Sequence, residues 1–76
     1  MVSFRACSSD EHRNLFYFFV DNGAVRVEST NGMSYALSNF TNNVPALKIA
    51  MERATSIDEG LAVLTNHTKL ASFELL

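Results

Sequence analysis

The run LFYFFVDNGAVRVESTNGMSYALS, residues 15–38, decides the fold. It holds two hairpin signals, Asn22-Gly23 and Asn31-Gly32, each set between apolar or alternating residues. Together they predict a three-stranded antiparallel meander. Its first strand, Leu15-Phe16-Tyr17-Phe18-Phe19-Val20, is apolar on both faces, so each side of it calls for a cover. Asn22-Gly23 suits a two-residue type I′ turn, because both turn positions need positive φ. That turn pairs Val20 with Val25, Phe18 with Val27 and Phe16 with Ser29 on one face. On the other face Phe19 meets Arg26, and Tyr17 meets Glu28.

The second hairpin has two registers open to it. A two-residue Asn31-Gly32 turn would send Met33, Tyr35 and Leu37 to the side of Arg26 and Glu28. A three-residue Thr30-Asn31-Gly32 loop, with Gly32 left-handed in a bulge, sets them beside Val25 and Val27. A one-residue slip flips the whole apolar set, so the apolar pattern selects the three-residue loop. The expected core face is then Phe16, Phe18, Val20, Val25, Val27, Met33, Tyr35 and Leu37.

Upstream, Val2, Phe4 and Ala6 alternate with Ser3 and Arg5, a weak strand signal. Cys7 to Asn14 is polar and reads as a loop, and residues 1–14 are expected to be partly mobile. Downstream, Asn39-Phe40-Thr41-Asn42-Asn43 reads as a polar connection into a helix. Asn42 or Asn43 can cap that helix, and Pro45 falls in its first turn, where a missing N–H costs nothing. Val44, Leu47, Ala50, Met51 and Ala54 form one stripe at helical spacing, with Ile49 across from it. Ser56-Ile57-Asp58-Glu59 is a capping box for a second helix. That helix presents Ile57, Gly60, Leu61 and Leu64 on one face and ends near Asn66. Gly60 costs a helix up to ~1 kcal/mol relative to Ala, which points to a close backbone approach. Leu70 to Leu75 alternates as a terminal strand. Were it to return beside the Leu15–Asp21 strand, the right-handed crossover rule would make the two parallel.

The order is (β)βββααβ. This is an α+β fold, an antiparallel meander of three to five strands with a helical hairpin packed on one face. The 76 residues make a single small domain, 1–76, with no room for a second.

Composition narrows function mainly by exclusion. The formal charge is −2, and the six Lys and Arg residues are scattered, with no basic run. Phosphate neutralisation dominates nucleic-acid affinity, so nucleic acid is a disfavoured partner. A single cysteine, Cys7, excludes an internal disulfide framework and fits a reducing compartment. The N-terminus lacks the apolar core of a signal peptide, and no apolar run approaches the ~18 residues of a membrane helix. The expected location is the cytoplasm, with no membrane partner.

No catalytic site is expected. Cys7 and His12 could form a thiol–imidazole pair, but a nucleophile needs a rigid scaffold and an oxyanion hole, and a polar loop near a terminus supplies neither. Zinc asks for three or four convergent ligands, and His12 and His67 sit in separate loops, so no metal or cofactor is expected. Asp58 and Glu59 are explained by helix capping.

What remains is the outer face of the sheet: Leu15, Tyr17, Phe19, Ala24, Arg26 and Ala36. Aromatics beside an arginine make the amphipathic surface that interface hot spots favour. The competing readings are that Val2 and Phe4 fold across it as cover, or that Arg26 simply stacks on Phe19. The expectation is a non-enzymatic protein-binding module of inhibitor or regulator type, in the manner of small phage inhibitors directed at host or defence machinery. Its partner-binding residues would be Leu15, Tyr17, Phe19, Arg26 and, on the helix, Ile49, and a homodimer is one use of the face. The alternative is a single-stranded nucleic-acid binder that stacks bases on Tyr17 and Phe19.

Overall fold

The two Asn-Gly hairpins form as their chemistry requires. In the computed structural model, which describes residues 1–76, Asn22 and Gly23 take φ of 48° and 82°. They join β2 (Leu15–Asp21) to β3 (Ala24–Ser29). The register pairs Phe18 with Val27 and Phe19 with Arg26, as expected for a two-residue loop. At the second hairpin the Gly32 φ is 81° and the Ser29 N–H donates to the Met33 carbonyl at 2.9 Å, which closes the three-residue loop. β4 (Ser34–Tyr35) then pairs Tyr35 with Val27.

The N-terminal segment departs from expectation. β1 (Phe4–Ser9) extends through Cys7, Ser8 and Ser9, and pairs along its whole length with β2. The polar character of Cys7-Ser8-Ser9 hid this, yet Ser8 is buried and its hydroxyl donates to the Ser72 carbonyl. Only Asp10–Asn14 remain as the connecting loop. Val2, Phe4 and Ala6 face the core, at 7%, 8% and 0% exposure, so they cannot cover the outer face.

After β4 the chain makes a short 3-10 turn at Leu37–Asn39 and crosses the inner face of the sheet as two helices. α1 (Val44–Arg53) is capped by the Asn43 side chain, which accepts from the Ala46 N–H. α2 (Ile57–His67) is capped by the Ser56 hydroxyl, which accepts from the Glu59 N–H. The Glu59 carboxylate reaches back past the cap to the Thr55 N–H at 2.8 Å and the Thr55 hydroxyl at 3.1 Å. Ile57, at the first helical position, is 40% exposed and lies off the buried face; Gly60 and Leu64 hold that face.

β5 (Phe73–Leu75) is shorter than the alternation suggested, and it pairs antiparallel with β1 rather than parallel with β2. The reason is occupancy. β1 already fills the place beside β2, so the returning strand takes the free edge of β1. The sheet order is β4-β3-β2-β1-β5, every neighbour antiparallel. β2, the most apolar strand, is therefore the central one.

The core lies between the inner face and the helices. Phe18, Leu47, Met51 and Leu64 are fully buried, each contributing about 1.5–3 kcal/mol of burial. Phe40 is buried too, although its neighbours are polar, because it meets Phe16 at 4.9 Å and Phe18 at 5.6 Å between ring centroids. Such edge-to-face pairs add about 0.5–1.5 kcal/mol each. Phe73 packs on Phe18 at 5.1 Å. Met33, expected in the core, is 57% exposed: its register is right, but it sits at the hairpin end beyond the helices.

Candidate functional site

Side chains alternate across a strand, so the residues that do not face the helices form one continuous outer surface. The antiparallel registers arrange it in rows that run across the strands. One row reads Arg5, Phe19, Arg26 over β1, β2 and β3. Beyond Arg5, the Leu76 N–H donates to the Arg5 carbonyl at 2.9 Å, which continues this row to the β5 edge. The next row, about 6.8 Å along the strands, reads Glu74, Cys7, Tyr17, Glu28 over β5, β1, β2 and β3. Leu15 lies one row further, opposite Ser9, and is 44% exposed.

Electrostatics give these rows opposite character. The Arg26 guanidinium sits 4.1 Å from the Phe19 ring centroid, and that of Arg5 sits 5.5 Å from it. Two cations on one aromatic ring keep the ring half-buried while their charged heads stay in water. Arg26 also forms an ion pair with Glu28, in which the two side chains are 56% and 29% exposed. The neighbouring row carries only acids, Glu28 and Glu74, on either side of Cys7 and Tyr17. The outer face thus sets a basic aromatic row beside an acidic aromatic row, centred on the middle strand, with Asp21 at the hairpin end on the other side of the basic row.

Leu15, Tyr17, Phe19 and Arg26 are brought together as the sequence suggests. Ile49, 49% exposed, is not with them: α1 packs on the inner face, so Ile49 lies on the far side of the sheet. Ala36 lies just past the end of β4, still extended and exposed, and lines a shallow cleft with Arg26 at the edge of the face. Arg5, Cys7 and Glu74 join the face through strand pairings that the sequence signals only weakly. The alternation Val2, Phe4, Ala6 was the available clue, since it places Arg5 and Cys7 on the opposite side.

Other chemistry-bearing groups stand apart. Cys7 is half-buried between Tyr17 and Glu74, while His12 lies in the loop with its Nε2 3.7 Å from a Glu11 carboxylate oxygen. No group of three or more His, Cys, Asp or Glu side chains converges as a metal site. No helix is long and apolar enough to cross a membrane. The Asp10 carboxyl is held below the ordinary aspartate range, first by the Asn14 side-chain amide and then by the Asn14 N–H. That arrangement pins the β1–β2 loop. A cleft of about 620 Å³ opens at the same end of the sheet, walled by Phe16, Tyr35, Phe40 and Leu70 and rimmed by Asp10 and Lys69.

Compared with known proteins, the chain matches no family model, no curated protein and no solved structure.

Proposed function

We propose that the chain is a non-enzymatic protein-binding module of inhibitor or regulator type, phage-like in scale and acting in the cytoplasm, which engages its partner through the outer sheet face. The observation that supports this most is the position of Tyr17 and Phe19 at the centre of a sheet face opposite both helices. An arginine-flanked aromatic patch of this kind supplies both the apolar anchor and the polar rim that protein interfaces use. Leu15 and Arg26 extend the patch. Ile49 is a separate contact point, available only to a partner that reaches around the domain.

The test compares wild type with a Tyr17→Ala/Phe19→Ala variant, each immobilised and exposed to cell extract or to further copies of the chain. The expected result is a retained protein that the double variant loses while it still unfolds cooperatively, at a lowered midpoint because two half-buried aromatics leave the central strand. Equal retention by both would overturn the assignment of binding to this face.

Single-stranded nucleic acid is the second reading, favoured by the placement of Phe19 between Arg5 and Arg26. Glu28 and Glu74 in the adjacent row oppose a phosphate backbone. Titration of a labelled oligonucleotide decides it: this reading requires affinity that falls steeply with salt.

A further inference from the structure

We infer, resting on the reading of the outer face as a protein-docking surface, that its occupant is a second copy of this chain. The two copies stack face to face about a twofold axis that crosses the strands midway between the Phe19 row and the Tyr17 row. Such an axis exchanges the rows. Phe19 of one copy lies over Tyr17 of the other, and Tyr17 over Phe19, at the middle of the sheet. In the β3 column, Arg26 meets Glu28 of the second copy and Glu28 meets its Arg26. In the β1 column, Arg5 lies over Cys7 of the second copy, one strand from its Glu74. An isologous contact requires this reciprocity, and the registers supply it: the two rows match column by column on β5, β1, β2 and β3.

Charge argues for a second copy over a generic partner. A uniformly acidic or uniformly basic surface would meet like charge on one of the two rows. The complement needed is an acidic aromatic row beside a basic aromatic row in reversed order, which the same face supplies after the twofold rotation. The Arg26–Glu28 pair within one copy is partly exposed, and solvent screening makes pairs of that kind weak. Exchanging it for the same pair between copies loses little by itself. The larger cost is moving Arg26 off the Phe19 ring, 4.1 Å from its guanidinium, which the Phe19–Tyr17 contact between copies must offset. Size is also compatible. A standard interface of about 800 Å² per partner takes about a sixth of the 4795 Å² surface of one chain. Aligned face-to-face sheets cross at roughly 30°, which keeps the central Phe19–Tyr17 contacts and leaves the outer columns to the longer Arg and Glu side chains.

The test is the solution mass by sedimentation across a concentration series, for wild type, Arg26→Glu and Glu28→Arg, with urea unfolding as the check on folding. Wild type should rise from the 8.4 kDa monomer towards twice that mass. Each single reversal puts like charges together and should weaken the dimer by about tenfold or more. An equimolar mixture of the two variants should recover it, because every cross-copy contact is again Arg against Glu. Wild type that stays monomeric into the millimolar range overturns the inference, as does a dimer indifferent to both reversals or a mixture no tighter than its components. Should wild type stay monomeric while Tyr17→Ala/Phe19→Ala still abolishes capture of another protein, the docking reading stands and the second copy is ruled out as its occupant.

Discussion

The Phe4 ring fills the space in which a β-carbon on Gly60 would stand, with its Cζ 2.8 Å from that position. This contact joins β1 to α2 and explains a glycine inside the helix. On propensity alone, Gly60→Ala would stabilise the helix by about 0.8–1.0 kcal/mol.

Overpacking reverses that sign. Forcing a methyl against a buried ring typically costs about 1–3 kcal/mol, so Gly60→Ala should be net destabilising in urea or thermal unfolding. In a Phe4→Leu background the same change should become neutral or stabilising, since the obstructing ring is gone. Equal effects in both backgrounds would show that the ring is not the constraint.

The two hairpin glycines should respond differently to substitution. Both hold φ near +80°, which costs a side-chain-bearing residue about 1–2 kcal/mol. A β-carbon on Gly32 would meet open space, whereas one on Gly23 would lie 3.3 Å from the Glu52 Cα and 3.6 Å from the Met51 carbonyl oxygen. Gly23 is also tied down, since its N–H donates to the Val2 carbonyl at 2.9 Å. Asn tolerates the left-handed region, so Gly32→Asn should leave the unfolding midpoint almost unmoved. Gly23→Asn should lower it clearly, because the end of α1 offers backbone and not a yielding side chain. Matching midpoints for the two variants would refute the role given to the β2–β3 turn in docking α1.

These glycines also mark how far local chemistry reaches. The meander is legible because each Asn-Gly pair fixes a loop length, and an alternating strand then leaves one register that keeps the apolar residues together. Helix caps are legible for the same reason: Asn43 and Ser56 act within three residues of themselves. The extent of β1 is not local. Ser8 is buried because Ser72 arrives beside it, 64 residues later, with a carbonyl to accept from its hydroxyl. Phe40 sits in a polar run and is recognisable as core only once the ends of β2 and β4 converge on it. The same non-local pairing governs the candidate site. Tyr17, Phe19 and Arg26 are visible from one hairpin, but Arg5 and Glu74 enter through the β1 and β5 pairings. Without those two, the hairpin shows one arginine and one glutamate beside its two aromatics, and the extension of each charge into a row across the sheet is hidden.

The β1–β2 loop should carry a pH response of its own. Asp10 accepts from the His12 and Asn14 N–H groups at 2.9 Å and from the Asn14 side-chain amide at 3.0 Å. These bonds favour the ionised carboxyl and set its folded-state pKa below the ordinary value of 3.8. A carboxyl lowered on folding contributes order that is complete above its unfolded value and is lost as pH falls through the folded one. The hydrogen bonds to the Asp10 carboxylate should therefore be unchanged from neutral pH down to about 4 and loosen only in stronger acid. The Asn14 backbone and side-chain amide shifts followed by NMR should carry a titration in that acid window. In Asp10→Ala the Asn14 amides should show the loosened environment at neutral pH and lack that titration. Because the loop borders the cleft lined by Phe16 and Tyr35 and lies off the Phe19 row, that variant should leave the outer face, and whatever binds it, unaffected. A titration that is centred above 3.8 and disappears in Asp10→Ala would contradict the direction of the shift and, with it, the part assigned to the Asn14 amides.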